Sequence, residues 1–264
     1  MQSRSAALNT RVHPARPVVL LHAFPLHAGM WQPQMQALAE RGFSAVAVDL
    51  PGFGSSPLRD EQDLDGFAAR VLEVLDGLQV ERAAFVGLSM GGYVLFRLWQ
   101  QAPHRIGALV LADTRAEPDS PEARERRYAQ ASQVAVLGVE AILEGFVAGA
   151  LGRATLDGRP GVVETVRRIV REARPAGVVN ALRAMAVRPD STPLLPRITV
   201  PTLVVAGEQD GLTPPDVAHR MAAAVPGAKL SVIPEAGHLS NLEAPGTFNR
   251  QLLDFLETSG FWRA

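Results

Sequence analysis

The sequence alternates short apolar runs with longer segments of helical period, and this alternation limits the possible folds more than any other feature. We predict strands at residues 17–21, 43–48, 82–87, 108–112, 202–206 and 229–233. We predict helices between them at residues 29–41, 63–77, 91–101, 214–224 and 244–258. Because the strand-like runs are largely apolar, helices should cover both faces of the sheet. The pattern therefore predicts an α/β fold with a mostly parallel sheet.

The alternation is interrupted once, between residues 114 and 197. This segment has no strand-like run, and we predict four amphipathic helices in it, near residues 121–136, 139–150, 162–172 and 176–185. Its arginines are interspersed with acidic residues, which favours local ion pairs on a solvated face over an anion-binding site. We interpret residues 114–197 as a helical lid inserted into a single domain, whose core comprises residues 1–113 and 198–264.

Composition excludes several kinds of chemistry. The 264-residue chain has no cysteine, so disulfides, thiolate nucleophiles and zinc fingers are ruled out. Lys+Arg total 26 against 27 Asp+Glu, a balance that argues against a dedicated nucleic-acid binder. The one lysine, Lys229, does not belong to a phosphate-binding loop. The glycines at 52 and 54 lack the third glycine of a dinucleotide site, and we predict neither a cofactor nor a metal.

No targeting signal is evident. The residues before the first predicted strand lack the apolar run of a signal peptide, and no stretch is long and apolar enough to span a bilayer. We expect a soluble cytoplasmic protein that binds no membrane, and its oligomeric state stays open.

One local signal concerns the helix predicted at residues 214–224. Thr213 followed by Pro214 predicts the start of this helix.

The run Gly87-Leu88-Ser89-Met90-Gly91-Gly92 connects a predicted strand to a predicted helix. A G-x-S-x-G run in this context is typical of a sharp turn that exposes a nucleophilic serine, with glycines relieving backbone crowding. A serine at its ordinary pKa is a weak nucleophile and needs a base, which in turn needs an orienting acid. Ser89 is therefore the candidate nucleophile.

A base and an acid follow in the expected chain order. His238 comes just after the last predicted strand, and Asp210 comes just after the preceding one. The order Ser, Asp, His is that of the hydrolase arrangement. Asp113 is a rival acid at the end of another strand, but glycines on either side of Asp210 favour the tight loop that would orient it. We predict a triad of Ser89, Asp210 and His238.

Acyl transfer also needs backbone amides that stabilise a developing oxyanion. The amide after the nucleophile, that of Met90, is the first candidate. The loop His22-Ala23-Phe24-Pro25 follows the first predicted strand, and it offers the Phe24 amide as the second. We predict that these two amides form an oxyanion hole.

Together, the motifs that begin at His22, Asp49, Gly87, Gly207 and Gly237 resemble the α/β-hydrolase family over nearly the whole chain. Within it, the chain is similar to small bacterial carboxylesterases, 3-oxoadipate enol-lactonases and cofactor-free perhydrolases. The resemblance implies six to eight strands with a shortened leading hairpin. One departure is Ala23, where the family usually shows glycine. Serine at position 89 disfavours the members with an aspartate nucleophile.

The resemblance implies that Ser89 attacks an ester and that water cleaves the acyl-enzyme. Trp31, Met90, Leu212, Leu239 and the lid helices would line an apolar pocket for a small uncharged ester or lactone. A carboxylesterase is the first hypothesis. An enol-lactonase or perhydrolase is the alternative, since all share the triad, and a non-catalytic ligand receptor is a third.

Overall fold

The computed structural model describes residues 16–59 and 63–262. Within them lies one parallel sheet of six strands, β1 (Val18–Leu21), β2 (Ala45–Val48), β3 (Ala83–Leu88), β4 (Ile106–Ala112), β5 (Thr202–Gly207) and β6 (Lys229–Ile233). Their order across the sheet is β2-β1-β3-β4-β5-β6, with every neighbouring pair parallel. The predicted α/β fold with a parallel sheet is confirmed.

Helices cover both faces of the sheet. They are α1 (Gln32–Glu40), α2 (Leu64–Gly77), α3 (Met90–Gln101), α9 (Pro215–Ala224), α10 (Ser240–Glu243) and α11 (Pro245–Thr258). Successive strand residues point to opposite faces. In β1, Val19 and Leu21 therefore join the core on one face, while Val18 and Leu20 join the core on the other. The apolar runs of the central strands reflect this double burial.

Full burial of the strands holds at the centre of the sheet and fails at both edges. In β2, at one edge, three of the four residues are only partly buried. β6 lies at the other edge, where Lys229 and Val232 are exposed. The expectation that both faces of every strand are covered is therefore wrong for β6. None of the helices in the described part of the chain is long and apolar enough to cross a membrane.

The predicted start of the helix expected at residues 214–224 is also wrong. This helix, α9, begins at Pro215 with Pro214 as its N-cap, and Thr213 does not cap it. Thr213 instead donates its hydroxyl to the carboxylate of Asp210. The side chain has the hydrogen-bonding capacity that the sequence indicates, but a tertiary partner takes it.

Between β4 and β5 the structure has five α-helices instead of the four expected. They are α4 (Pro121–Leu137), α5 (Glu140–Ala150), α6 (Arg153–Gly158), α7 (Pro160–Arg171) and α8 (Pro175–Ala186). The additional helix is the single short α6. Several arginines of this lid pair with nearby acids, including Arg167 with Glu144 and Arg171 with Glu140.

The topology gathers the loops that follow the strands. The chain passes from β1 to β2 on one side and then returns to β3 on the other side of β1, so β1 and β3 flank a switch point in strand order. In open parallel sheets, ligands bind at such a point, outside the carboxyl ends of the strands. The loops after β1, β3, β5 and β6 all leave the sheet at this edge.

Candidate active site

Ser89 lies in a sharp turn between β3 and α3. Its φ of 55° falls in the left-handed region, which costs a non-glycine residue about 1–3 kcal/mol. Two hydrogen bonds hold the turn, because Ser89 N–H donates to the Ala112 carbonyl (2.9 Å) and the Ser89 carbonyl accepts from the Thr114 hydroxyl (2.8 Å). The strained turn fixes the serine side chain at the carboxyl edge of the sheet.

Two glycines allow this turn to form. A Cβ atom on Gly87 would lie 2.6 Å from the Gly91 carbonyl, and a Cβ atom on Gly91 would overlap the carbonyl of Leu21. Larger residues at these positions would push the start of α3 away from the end of β1. The glycines therefore bring the N-terminal amides of α3 close to the loop that follows β1.

His238 lies in the loop after β6 and contacts the serine directly. Its Nε2 lies 2.8 Å from Ser89 Oγ, and its Nδ1 lies 2.8 Å from Asp210 Oδ2. An ionised carboxylate only accepts hydrogen bonds, so the imidazole proton belongs on Nδ1 and leaves Nε2 free to accept from the serine hydroxyl. The three side chains form a continuous hydrogen-bonded line.

Asp210 lies in the loop after β5, where four donors face its carboxylate. Oδ1 accepts from the backbone amides of Leu212 and Thr213, both at 2.8 Å. Oδ2 accepts from the Thr213 hydroxyl and faces His238. Burial raises the pKa of Asp210, but the facing His238 and the hydrogen bonds from Thr213 outweigh it, so the net pKa lies below its ordinary value of 3.8. The site keeps Asp210 ionised.

Asp113, the rival acid, has other partners. One of its oxygens accepts from the Gly207 amide at 2.8 Å, and the other hydrogen-bonds the Ser240 hydroxyl. Burial, followed by repulsion from Asp210, raises the pKa of Asp113 well above its ordinary value of 3.8. The structure therefore brings Asp210 within hydrogen-bonding distance of His238. Asp113 instead connects the end of β5, at Gly207, with the start of α10, at Ser240.

The loop after β1 contains Phe24, one of the two predicted oxyanion-hole amides. Its shape is held by Leu26 N–H, which donates to the Ala23 carbonyl (2.9 Å), and by Ala23 N–H, which contacts Met30 Sδ (3.2 Å). Met90 is the first residue of α3, and amides in the first turn of a helix have no partner within the helix. Both amides thus belong to segments beside Ser89, and their role stays a prediction.

His22 connects the same loop to the loop that follows β2. Its Nδ1 donates to the Ala23 carbonyl (3.0 Å), and its Nε2 accepts from the Leu50 amide (3.0 Å). Complete burial lowers the pKa of His22 to about 4, so the ring is neutral and acts as a fixed bridge between two loops.

The residues predicted to line a pocket lie in different environments. Trp31 is fully buried in the core, with its ring tilted against Phe248. Leu239 is also fully buried, directly after His238. Leu212 is 43% exposed beside Asp210, and Met90 is fully buried beside Ser89. The structure thus assigns Trp31 to packing beneath α1 and α11, whereas the other three adjoin the triad residues.

Two cavities between the lid and the core have none of the triad residues in their lining. One, of about 530 Å³, is lined by residues that include Gln32, Arg159 and Leu242. The other, of about 770 Å³, has Leu58 and Tyr128 among its lining residues. The described residues contain no group of three or more His, Cys, Asp or Glu side chains that could hold a metal ion.

Sequence reasoning missed two residues that touch the site. Thr213 hydrogen-bonds Asp210, and its hydroxyl also lies 3.2 Å from His238 Nδ1. Glu243 is a buried glutamate whose carboxylate accepts from backbone amides on both sides of His238. Only the polar character of these residues close to the predicted acid and base could have drawn attention to them.

Comparison with known proteins adds independent findings. The family model described as alpha/beta hydrolase fold matches residues 16–245. The structure of a thermophilic esterase from Thermogutta terrifontis superposes with a TM-score of 0.90, at 36% identity over 92% of this chain and 90% of the esterase. The family match and this likeness both extend over most of the chain.

Two enol-lactonases are also similar. That of Burkholderia xenovorans superposes with a TM-score of 0.86, at 27% identity over 94% of each chain. The 3-oxoadipate enol-lactonase 2 of Acinetobacter baylyi is 28% identical over 240 residues, which cover 89% of this chain and 86% of that protein. The chain is thus similar both to an esterase and to enol-lactonases over nearly its full length.

Proposed function

The chain belongs to the α/β-hydrolase fold family, and we propose that it is a serine hydrolase that cleaves a small, uncharged carboxylic ester through an acyl-enzyme. One observation carries the proposal: His238 bridges Ser89 Oγ and Asp210 Oδ2 with two contacts of 2.8 Å each. The spacing suits proton transfer between hydroxyl and imidazole. The likeness to an esterase at 36% identity supports the same reaction class.

In the first half-reaction, His238 Nε2 takes the proton of Ser89 as Oγ attacks the ester carbonyl carbon. The carbonyl oxygen becomes an oxyanion, which the Phe24 and Met90 amides would stabilise. Collapse of this intermediate breaks the bond to the alcohol oxygen, and His238 returns its proton to the leaving alcohol. Asp210 holds the Nδ1–H tautomer and stabilises the imidazolium between these transfers.

The second half-reaction repeats the sequence with water. His238 removes a proton from a water molecule, whose oxygen attacks the acyl carbon. The bond between the acyl carbon and Ser89 Oγ then breaks, and Oγ receives the proton from His238. The products are a carboxylic acid and the free enzyme, so no further reactant is needed.

An enol-lactonase is the second candidate, because two relatives with that name are similar over nearly the whole chain. A lactone is a cyclic ester, and Ser89 would open it by the same attack. The leaving oxygen would then stay attached to the acyl group as an enol. The triad does not distinguish these substrates, since selectivity depends on the residues around it.

A labelling and hydrolysis experiment tests the proposal. The protein is treated with a fluorophosphonate, and hydrolysis is measured for p-nitrophenyl esters of increasing acyl length and for an enol-lactone. We expect label on Ser89 and hydrolysis of short esters, with both lost in Ser89→Ala. Much faster enol-lactone opening would favour the second candidate. No label and no hydrolysis would reject both enzymes and favour a ligand receptor.

A further inference from the structure

Glu243, the last residue of α10, is a glutamate with a side chain directed into the protein. The residue is only 2% exposed. Its Oε1 accepts from the backbone amides of Gly237 (3.0 Å) and Leu239 (3.2 Å), and its Oε2 accepts from the backbone amide of Gly152 (2.8 Å). Three amide donors thus satisfy both side-chain oxygens of a residue that is shielded from water.

The first two donors flank His238 in the chain. Gly237 and Leu239 supply the peptide groups on either side of the histidine, so one oxygen of Glu243 holds both ends of this short segment. The position of the imidazole follows from the backbone that carries it. Glu243 therefore constrains the placement of His238 without touching its ring.

The third donor belongs to the lid. Gly152 lies in the turn between α5 and α6, and the neighbouring Ala150 carbonyl accepts from the His238 amide at 2.7 Å. The two backbones approach so closely that a Cβ atom on Gly152 would lie 2.8 Å from the Gly237 nitrogen. The lid turn and the histidine loop are therefore in direct backbone contact.

We propose that Glu243 is a positioning residue that holds His238 in register with Ser89 and couples that register to the lid turn at residues 150–152. The carboxylate is one rigid plane, with one oxygen bonded to the histidine loop and the other to the lid. A displacement of the lid turn would therefore move the base. The proposal rests on the assignment of Ser89 and His238 as nucleophile and base.

Glu243→Gln separates the contact with the histidine loop from the contact with the lid turn. An amide side chain has one accepting oxygen, so it can keep the bonds to Gly237 and Leu239 or the bond to Gly152, but not all three. Its NH₂ group would then face an amide donor. We expect kcat to fall by about tenfold or more in Glu243→Gln and by about 10²-fold in Glu243→Ala, with a smaller change in KM, since a misplaced base affects mainly the chemical step.

The matched control is Glu235→Gln, which makes the same change on an exposed side chain of the loop after β6. It should leave kcat near that of the unaltered protein. The rate of Ser89 labelling by a fluorophosphonate gives a second reading, because it depends on the same base. Hydrogen exchange followed by mass spectrometry should show faster exchange at residues 150–152 and 237–239 in Glu243→Gln.

The possible outcomes are distinct. If the unaltered protein is not labelled by the fluorophosphonate at Ser89 and hydrolyses no ester, the proposed function itself is rejected. If it is active and folded Glu243→Gln has the kcat of Glu235→Gln, the positioning role is overturned. Should the Glu243 variants fail to fold, Gly152→Ala pushes the lid turn and the histidine loop apart while leaving Glu243 in place. We expect it to lower kcat more than KM, and an unchanged kcat would overturn the coupling.

Discussion

The Thr213 hydroxyl lies 2.5 Å from Asp210 Oδ2, the oxygen that faces His238 Nδ1 at 2.8 Å. With the backbone amides of Leu212 and Thr213 on the other oxygen, every partner described for this carboxylate can donate to it. Burial raises the pKa of Asp210, but the charge of His238 and the hydrogen bonds from His238 and Thr213 bring it below its ordinary value. An acid held ionised in this way is suited to balance the positive charge that develops on His238.

The first prediction concerns the acid of the triad. In Asp210→Asn, the side chain can present its NH₂ group to His238 Nδ1, which would turn Nδ1 into an acceptor and move the imidazole proton to Nε2. His238 could then no longer accept the serine proton. We expect kcat for a p-nitrophenyl ester to fall by about 10³–10⁴-fold, as measured by steady-state kinetics.

Asp113→Asn is the matched control for this prediction. The Ser240 hydroxyl donates to Asp113, and Gly207 N–H donates to the other oxygen of its carboxylate. An asparagine can accept from Gly207 with its oxygen and place its NH₂ group against the Ser240 hydroxyl, which can reverse its role and accept. We expect kcat to change by less than about tenfold. A loss in Asp113→Asn equal to that in Asp210→Asn would reassign the acid.

The raised pKa of Asp113 predicts a pH dependence of stability. A folded-state pKa above the unfolded value of 3.8 means that the folded protein binds more protons, so this group makes stability fall as pH rises from about 3.8 through the folded pKa. Asp113→Asn removes the effect. The free energy of unfolding of the variant minus that of the unaltered protein should increase with pH, as measured by urea titrations. A constant difference would contradict the raised pKa.

The fold was predictable because its signals are local. Residues 203–207 are apolar and β5 is buried on both faces, so the strand can be recognised without knowing its neighbours. Ser89 could be placed for a related reason, since its turn needs glycines at fixed positions in the chain. Both predictions depend on local sequence alone, so contacts with distant residues do little to change them.

The remaining features depend on contacts between distant residues. Glu243 lies 91 positions from Gly152 in the chain, and Asp113 lies 127 positions from Ser240. Nothing in the local sequence shows that these acids are buried or which amides they meet. The wrong helix start at Thr213 has the same origin, since the hydrogen bond to Asp210 overrides the local capping preference.

The buried His22 predicts a second pH dependence, of opposite sign to that of Asp113. Its pKa of about 4 lies below the ordinary value of 6.5. Between pH 4 and pH 6.5 the unfolded chain therefore binds a proton at His22 that the folded protein does not bind. Its contribution is therefore fully present above pH 6.5 and is lost as pH falls towards 4, with a size of about 3 kcal/mol.

His22→Gln tests this effect. The variant should be less stable near neutral pH, because the bridge between the Ala23 carbonyl and the Leu50 amide is altered, but its stability should fall less between pH 6.5 and 4 than that of the unaltered protein. Urea unfolding across this range provides the measurement. The exposed His104 gives the control, since His104→Gln should keep the original pH dependence. Parallel curves for all three proteins would show that His22 is not responsible.

The last prediction concerns the close approach between the lid and the core. Gly177 in α8 lies against Gly52, which has a φ of 85°, and a Cβ atom on Gly177 would overlap the Gly52 carbonyl. Gly177→Ala should lower the free energy of unfolding by about 1–3 kcal/mol, because neither backbone can move away without disturbing its own element.

Gly145→Ala gives the opposite sign and serves as its control. Gly145 lies within α5, where an added Cβ atom meets nothing within 4 Å. Replacing an exposed helical glycine by alanine should therefore stabilise the protein by about 0.5–1 kcal/mol. Thermal unfolding of both variants checks the pair. Destabilisation by both would indicate a general sensitivity of the lid helices, whereas opposite shifts would identify the contact between Gly52 and Gly177 as the point where the lid is seated on the core.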